Sequence, residues 1–333
     1  MKSALLLTLC LVLAACGTTS TRQKVRLAVG GIGLQMYNLP ITLAETLGYY
    51  KEEGVDVELE NLGSLPKALQ ALVGDSADVA SLSHFQNIQL AAEGQHTRSF
   101  FVCSRRAGVI CLAAPSSGDR LRRPEDLKGA LIGVASPGAI PQLFANYYLG
   151  RYGIQPADFR TASIGTGASA IAALESGRVH AACLAGGDHL RLLDRHPNLH
   201  IFIDTSTAEG MREIYGGEAY ATGTLSAKQE WLDQNPDTAR RLARALTRAL
   251  QWIAIHSPEQ ILEKLPDRFR SPEPAIDLKI IRWGLASYTP DGKMPPGASE
   301  GMKRLIEFTI PSVRDAKIDL ASTWTNDFLP PAK

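Results

Sequence analysis

The sequence predicts an α/β protein built as two lobes. Three observations carry this: one strand–helix–strand unit occurs twice, short apolar strands alternate with helical segments, and Gly- or Ser-bearing turns close the strands. The duplication is the strongest of the three. Ala68-Leu69-Gln70-Ala71-Leu72 precedes Asp78-Val79-Ala80-Ser81-Leu82, and Ala170-Ile171-Ala172-Ala173-Leu174 precedes His180-Ala181-Ala182-Cys183-Leu184. Each residue of the second pair stands 102 positions after its counterpart, from Ala68 and Ala170 through to Leu82 and Leu184. Upstream, Gly63-Ser64 corresponds to Gly165-Thr166.

In the first copy, Val25 to Val29 reads as a strand, Pro40 to Glu52 as a helix and Val55 to Glu60 as a strand. Pro66 to Val73 then reads as a helix and Val79 to Leu82 as a third strand. The second copy opens with the apolar strand Leu131 to Ala135. Apolar β-formers separated by helical stretches imply parallel βαβ units with both sheet faces covered. Two units of about a hundred residues each suit two lobes better than one large sheet.

Beyond the second copy, Leu199 to Asp204 and Tyr220 to Leu225 read as strands. Asn235-Pro236 is an N-cap followed by Pro in the first turn, and Ala239, Leu242, Leu246, Leu250 and Ile253 recur at helical spacing. Arg240, Arg244 and Arg248 line one face of that helix, either as a solvated stripe or as a docking surface for an acidic partner. A further helix runs from Pro274 to about Ser287, and another starts near Ser299 after the loop Met294-Pro295-Pro296-Gly297.

The N-terminus reads as an export signal. Lys2 is followed by a run from Ala4 to Leu13 that is apolar except for Thr8 and Cys10. It is too short to span a bilayer and suits the core of a signal peptide. Leu13-Ala14-Ala15-Cys16 resembles the bacterial lipobox, in which the Cys is acylated and the chain is cut before it. Residues 1–15 are therefore expected to be the signal and 16–24 a tether, with Cys16 as the lipidation site. This places the protein on the periplasmic side of the inner membrane or at the cell surface, anchored by lipid.

Lys and Arg number 35 against 34 Asp and Glu, so the chain lacks the basic excess of a general polyanion binder, and nucleic acid is not expected as a partner. After loss of Cys10 and acylation of Cys16, Cys103, Cys111 and Cys183 remain. Cys103 and Cys111 flank Ala107 symmetrically. If their strands form a hairpin they face each other, as a disulfide in an oxidising compartment or as two small buried hydrophobes.

Ligands of parallel sheets sit at the carboxyl ends of the strands. Here those ends are Gly30-Gly31-Ile32-Gly33, Gly63-Ser64, Ser83-His84, Ser136-Pro137-Gly138, Gly165-Thr166-Gly167 and Gly186-Gly187-Asp188. Most lead into helix N-termini, which present free N–H groups and a partial positive charge. None of the six holds Lys or Arg, so the expected solute is a small polar organic molecule or an anion with a single charged group. The ligand-binding residues read from this pattern are Gln35, Tyr37, Ser83 and His84 from the first lobe. Ser136, Gly138, Thr166 and Gly186 come from the second. No H-E-x-x-H, C-x-x-C or P-loop is present, and Gly30-Gly31-Ile32-Gly33 lacks dinucleotide-fingerprint spacing. No catalytic residue, metal ligand or cofactor site is assigned.

Several stretches in order resemble the solute receptors of ABC importers for nitrate, sulfonates, taurine and thiamine-pyrimidine precursors. They are Pro40 to Ala44, then Leu47-Gly48-Tyr49-Tyr50-Lys51-Glu52-Glu53-Gly54-Val55-Asp56-Val57, and Ala71 to Ala80. Pro124-Glu125-Asp126-Leu127-Lys128-Gly129-Ala130-Leu131-Ile132-Gly133-Val134 follows, with Ala173 to Ala182 and Thr323-Trp324-Thr325-Asn326-Asp327-Phe328-Leu329. The resemblance implies a two-lobed periplasmic-binding-protein fold of type II, two Rossmann-like lobes joined by two hinge strands. It implies lobe I at 25–113 plus 218–333 and lobe II at 114–217, with crossings near Ile110 to Ala113 and Ala219 to Leu225. It also implies a monomer that captures a small-molecule solute between the lobes and delivers it to an ABC permease and its ATPase. His180 departs from the family's acidic residue at that position, and the ligand-specific turns of the nitrate and sulfonate receptors are not matched. Rival readings are an enzyme on the same fold, of the fungal thiamine-pyrimidine or menaquinone-pathway type, and a ligand-sensing lobe.

Overall fold

The computed structural model describes residues 23–331 except 32, 33, 35 and 218. The export signal and the lipidation site Cys16 lie outside the described residues, as does Gln35.

The chain runs β1 (Gln23–Val29), α1 (Leu39–Thr46), α2 (Tyr49–Glu52), β2 (Val55–Asn61), α3 (Leu65–Val73), β3 (Val79–Ser83), α4 (His84–Ala92) and β4 (Thr97–Ser104). It continues through β5 (Ile110–Ala113), β6 (Leu131–Val134), α5 (Ile140–Gly150), β7 (Arg160–Ser163), α6 (Ala168–Glu175), β8 (Ala181–Leu184), α7 (Asp188–Arg195), β9 (Ile201–Asp204) and α8 (Ala208–Tyr215). It returns through β10 (Thr222–Lys228) and ends in α9 (Gln229–Gln234), α10 (Pro236–Ile255), α11 (Pro258–Lys264), α12 (Pro274–Leu285), α13 (Ala298–Glu307) and α14 (Pro311–Asp315). Pro in the first turn starts α1, α3, α5 and α10, where its missing N–H costs nothing and its fixed φ suits the helix.

Two five-stranded sheets form, in the orders β2-β1-β3-β10-β4 and β7-β6-β8-β5-β9. They match position by position, and the duplicated sequence runs fall on α3–β3 and α6–β8. In each sheet four strands run in the same direction, and one strand is antiparallel to both its neighbours: β10 in the first sheet and β5 in the second. Both of these are the first strand the chain enters after leaving the other sheet, so the exchange of strands is what joins the lobes. The two connections are tied to each other. Tyr220 N–H donates to the Arg105 carbonyl at 2.9 Å, Thr205 N–H to the Val109 carbonyl at 2.9 Å, and Val109 N–H to Thr205 Oγ1 at 2.7 Å.

This shifts one boundary. β5 is a strand of the second sheet, whereas the sequence reading left 110–113 with the first lobe as a crossing; the passage between sheets runs through 105–109. The same fact corrects the cysteine pairing. β4 and β5 lie in different sheets and form no hairpin, so Cys103 and Cys111 do not face each other. Cys111 instead stands opposite Cys183 in the antiparallel β5–β8 register and is disulfide-bonded to it, while Cys103 is a free, buried thiol. The single helix expected over 40–52 is two, because Gly48 takes a left-handed conformation with φ 76° between them.

Val25, Leu27 and Val29 of β1 pack with Leu242, Leu246 and Leu250 of α10 in one core. Ile110, Leu112, Ile171, Leu174 and Leu184 fill another in the second lobe. A third joins the two lobes: Phe85 and Ile88 of α4, Phe144 and Leu149 of α5, and Met302 and Leu305 of α13 belong to one buried cluster with Tyr215 and Tyr220. All three members of the arginine stripe on α10 bind the chain's own acids, Arg240 pairing with Asp237 at 2.8 Å within the helix. Arg244 pairs with Glu53 at 2.7 Å, and Arg248 pairs with both Glu52 and Glu53, which fastens α10 to the end of α2.

Candidate functional site

The carboxyl ends of β1, β2 and β3 meet at the base of the first lobe. Asn38, fully buried just before α1, donates to the Gly31 carbonyl and accepts from Ser81 Oγ, each at 2.6 Å. These bonds pin the segment after β1 onto β3. Tyr37 next to it is half-buried, with its carbonyl against Gly223 in the bulge of β10. A side chain at Gly223, where φ is +60°, would run into that carbonyl. Burial, with the negative charge of Asp188 in addition, pushes the Tyr37 hydroxyl up to about 12. Tyr37 thus lies near enough to the second lobe to feel its carboxylate.

The second lobe presents the ends of β6, β7 and β8. Asp188, the first residue of α7, is half-buried and accepts the Gly167 N–H at the start of α6 at 2.7 Å. Burial raises its carboxyl above the ordinary range, opposed by that hydrogen bond and by Arg191. His189 follows it, 3% exposed, with its ring edge-on to Trp283 of α12 at 4.8 Å. Its Nδ1 is buried without a partner among the described residues, and burial lowers its pKa to about 4.

α12 packs against α7 and bridges the lobes at this edge. The Arg191 guanidinium reaches Glu273 at 3.2 Å and the fully buried Asp277 at 3.6 Å. Lys279 pairs with Asp194. A side chain at Gly187 would strike Ile280, and one at Gly108 would strike Met36 and Trp283. Tyr37, Asp188, His189 and Trp283 therefore gather where the two sheets, the connection through Gly108 and α12 come together.

The sequence-predicted residues divide. Tyr37, Ser136, Thr166 and Gly186 lie at strand-end turns with partly or fully exposed positions. Gly138 is exposed too, but its N–H donates to Gln142 Oε1 at 2.8 Å. Ser83 is fully buried and donates to the Tyr220 hydroxyl at 3.1 Å, while its N–H is held by Gln86 Oε1 at 3.1 Å. His84 is corrected. Its ring is fully buried, with Nδ1 on Ser99 at 3.1 Å and Nε2 on Ser299 at 3.0 Å and Thr323 at 3.3 Å. It joins β4, α13 and the C-terminal segment, and both ring nitrogens are taken by protein hydroxyls. Burial drops its pKa to about 3. The sequence reading missed Asp188, His189 and Trp283. Asp188 stood inside a turn already picked out, and its acid beside two glycines was the available signal.

The family described as "NMT1/THI5 like" matches residues 35–261. "Putative binding protein YtlA" of Bacillus subtilis (strain 168) is 26% identical over 289 residues, covering 84% of this chain and 81% of that one. The 4-amino-5-hydroxymethyl-2-methylpyrimidine phosphate synthase of Schizosaccharomyces pombe is 28% identical over 126 residues, 37% of this chain and 34% of that enzyme. Among solved structures, a protein of Bordetella bronchiseptica RB50 is 32% identical with a TM-score of 0.83, covering 92% of this chain and 96% of that one. The alkanesulfonate-binding protein SsuA of Xanthomonas axonopodis pv. citri, bound to MOPS, has a TM-score of 0.68 at 15% identity, over 90% and 98% of the two chains. The periplasmic nitrate-binding protein NrtA of Synechocystis PCC 6803 has a TM-score of 0.67 at 14% identity, over 92% and 87%.

Proposed function

The chain belongs to the NMT1/THI5-like family, and from that premise we propose that it is the extracytoplasmic solute receptor of an ABC importer. It captures a small polar organic solute between its lobes and hands it to a permease. The observation that carries this reading is the strand exchange. β5 and β10 each cross into the opposite sheet, so the strand-end turns of both lobes border one cleft that two adjacent connections let open and close. Tyr37 from one side and Asp188, Thr166, Gly186 and Ser136 from the other are the cleft's polar lining. Cys16 carries the lipid that tethers the receptor outside the cytoplasm.

The test is native mass spectrometry of the protein purified from its own cells, followed by calorimetric titration with any solute it retains. One molecule of solute per chain, released unchanged, supports the reading. The partial match to the fungal synthase supports the rival enzyme on this fold. Conversion of the retained solute during incubation would replace the receptor with that enzyme.

A further inference from the structure

The turns that sequence offers as an anion cradle are largely filled by the protein's own acceptors. Asn61 Oδ1 takes the Gly63 N–H at 3.1 Å, and Gln86 Oε1 takes the Ser83 N–H at 3.1 Å. Gln142 Oε1 takes the Gly138 N–H at 2.8 Å, and the Asp188 carboxylate takes the Gly167 N–H at 2.7 Å. Four of the six strand-end turns have thus spent a backbone donor internally. The last of these matters most, because a carboxylate already occupies the start of α6, where an anionic ligand would otherwise gain from the helix dipole.

The charges around the cleft point the same way. Arg191, on the same helix face as Asp188, is claimed by Glu273 and Asp277. Arg106 in the connection between lobes turns its guanidinium onto the Ser206 carbonyl at 3.0 Å. Asp188 accepts the Gly167 N–H and its charge reaches Tyr37, and next to it His189 keeps a buried ring nitrogen without a partner among the described residues.

Resting on the receptor reading, the geometry points to a solute that brings hydrogen-bond donors and a positive charge, a small organic ammonium or guanidinium compound seated against Asp188. Part of the backbone donor set that an anion would need is taken within the protein, and the half-buried Asp188 carboxylate supplies the acceptor that a cation needs. A charge-assisted hydrogen bond from the ligand to this carboxylate accounts for roughly a ten- to hundredfold share of the affinity.

The experiment dialyses the wild type and Asp188→Asn against a low-molecular-weight extract of bacterial cells. Retained solutes are identified by mass spectrometry and titrated back, with nitrate and MOPS as anionic probes. Asn keeps an oxygen for the Gly167 N–H, and matched thermal melts of the two proteins establish that the variant is folded. The expected result is a retained solute with a protonated nitrogen, bound ten- to a hundredfold more weakly by Asp188→Asn, and no binding of nitrate or MOPS. Retention of an anion, or equal affinity in the variant, overturns the inference while the receptor stands. If neither protein retains or binds any solute, the receptor reading fails and the inference with it.

Discussion

Replacing Arg191 with Met should weaken the protein by about 2 kcal/mol, through the junction between α7 and α12. The Arg191–Glu273 pair is half open to solvent, since Glu273 is 49% exposed, and its loss costs about 0.5 kcal/mol. Asp277 decides the outcome. It is fully buried and keeps two donors from Ser271, the N–H at 2.8 Å and the hydroxyl at 2.6 Å, so removing Arg191 strands the charge only in part. Stranding a buried carboxylate outright costs about 3–5 kcal/mol, and the surviving bonds bring this to roughly 1.5 kcal/mol. Met retains most of the alkyl stem, so little packing is lost with the charge. For a chain of this size the total lowers the melting temperature by about 4 °C. The assay is urea unfolding followed by tryptophan fluorescence, with Lys279→Met as the reference. Lys279 and Asp194 are both about half exposed, so breaking that pair should cost no more than about 0.5 kcal/mol. If Arg191→Met and Lys279→Met both lie within 0.5 kcal/mol of the wild type, taken as roughly the scatter of surface substitutions, the buried Asp277 is not what makes this junction strong.

Other consequences concern acid, ligand and membrane. His84 and His189 are held neutral in the fold, at about 3 and about 4, against an ordinary value of 6.5. The unfolded chain therefore binds more protons below pH 6.5, and stability falls as pH drops; between pH 7 and 5 the loss is up to roughly 2 kcal/mol per histidine. An unchanged urea midpoint across that range would sink the assignment. Thr166→Ala and Ser136→Ala should weaken solute binding about five- to a hundredfold by calorimetry with no change in melting temperature; wild-type affinity in both would move the second-lobe half of the site elsewhere. Cys16→Ser should leave the membrane fraction, and a variant that stays membrane-bound and uncleaved would contradict lipid anchoring.

What could be read in the sequence is what local pattern determines. The repeat from Ala68 to Leu82 and from Ala170 to Leu184 lands on equivalent helix–strand pairs because each unit folds on its own apolar period. The errors arise where a partner is chosen across the chain. The symmetric spacing of Cys103 and Cys111 looks like a hairpin, yet the five residues between Ser104 and Ile110 carry the chain from one sheet to the other. Cys183 becomes the partner of Cys111 through a register fixed 72 residues away. His84 follows a strand end as a ligand residue would, but helix geometry turns its ring toward Ser99 and Ser299, a contact that depends on α13 more than 200 residues later. Asp188 was visible as an acid in a glycine turn. Its hold on Gly167 was not, because it joins two separate strand ends of the second sheet.

The central claim is that the solute sits between two lobes that close on it. Small-angle X-ray scattering of the purified protein, with and without saturating solute identified by retention, tests it directly. The radius of gyration should fall when solute is added, and the Asp188→Asn protein should show the same fall only at higher solute concentration. A radius unchanged at a concentration where calorimetry shows the site full would mean that the solute binds somewhere other than a closing cleft.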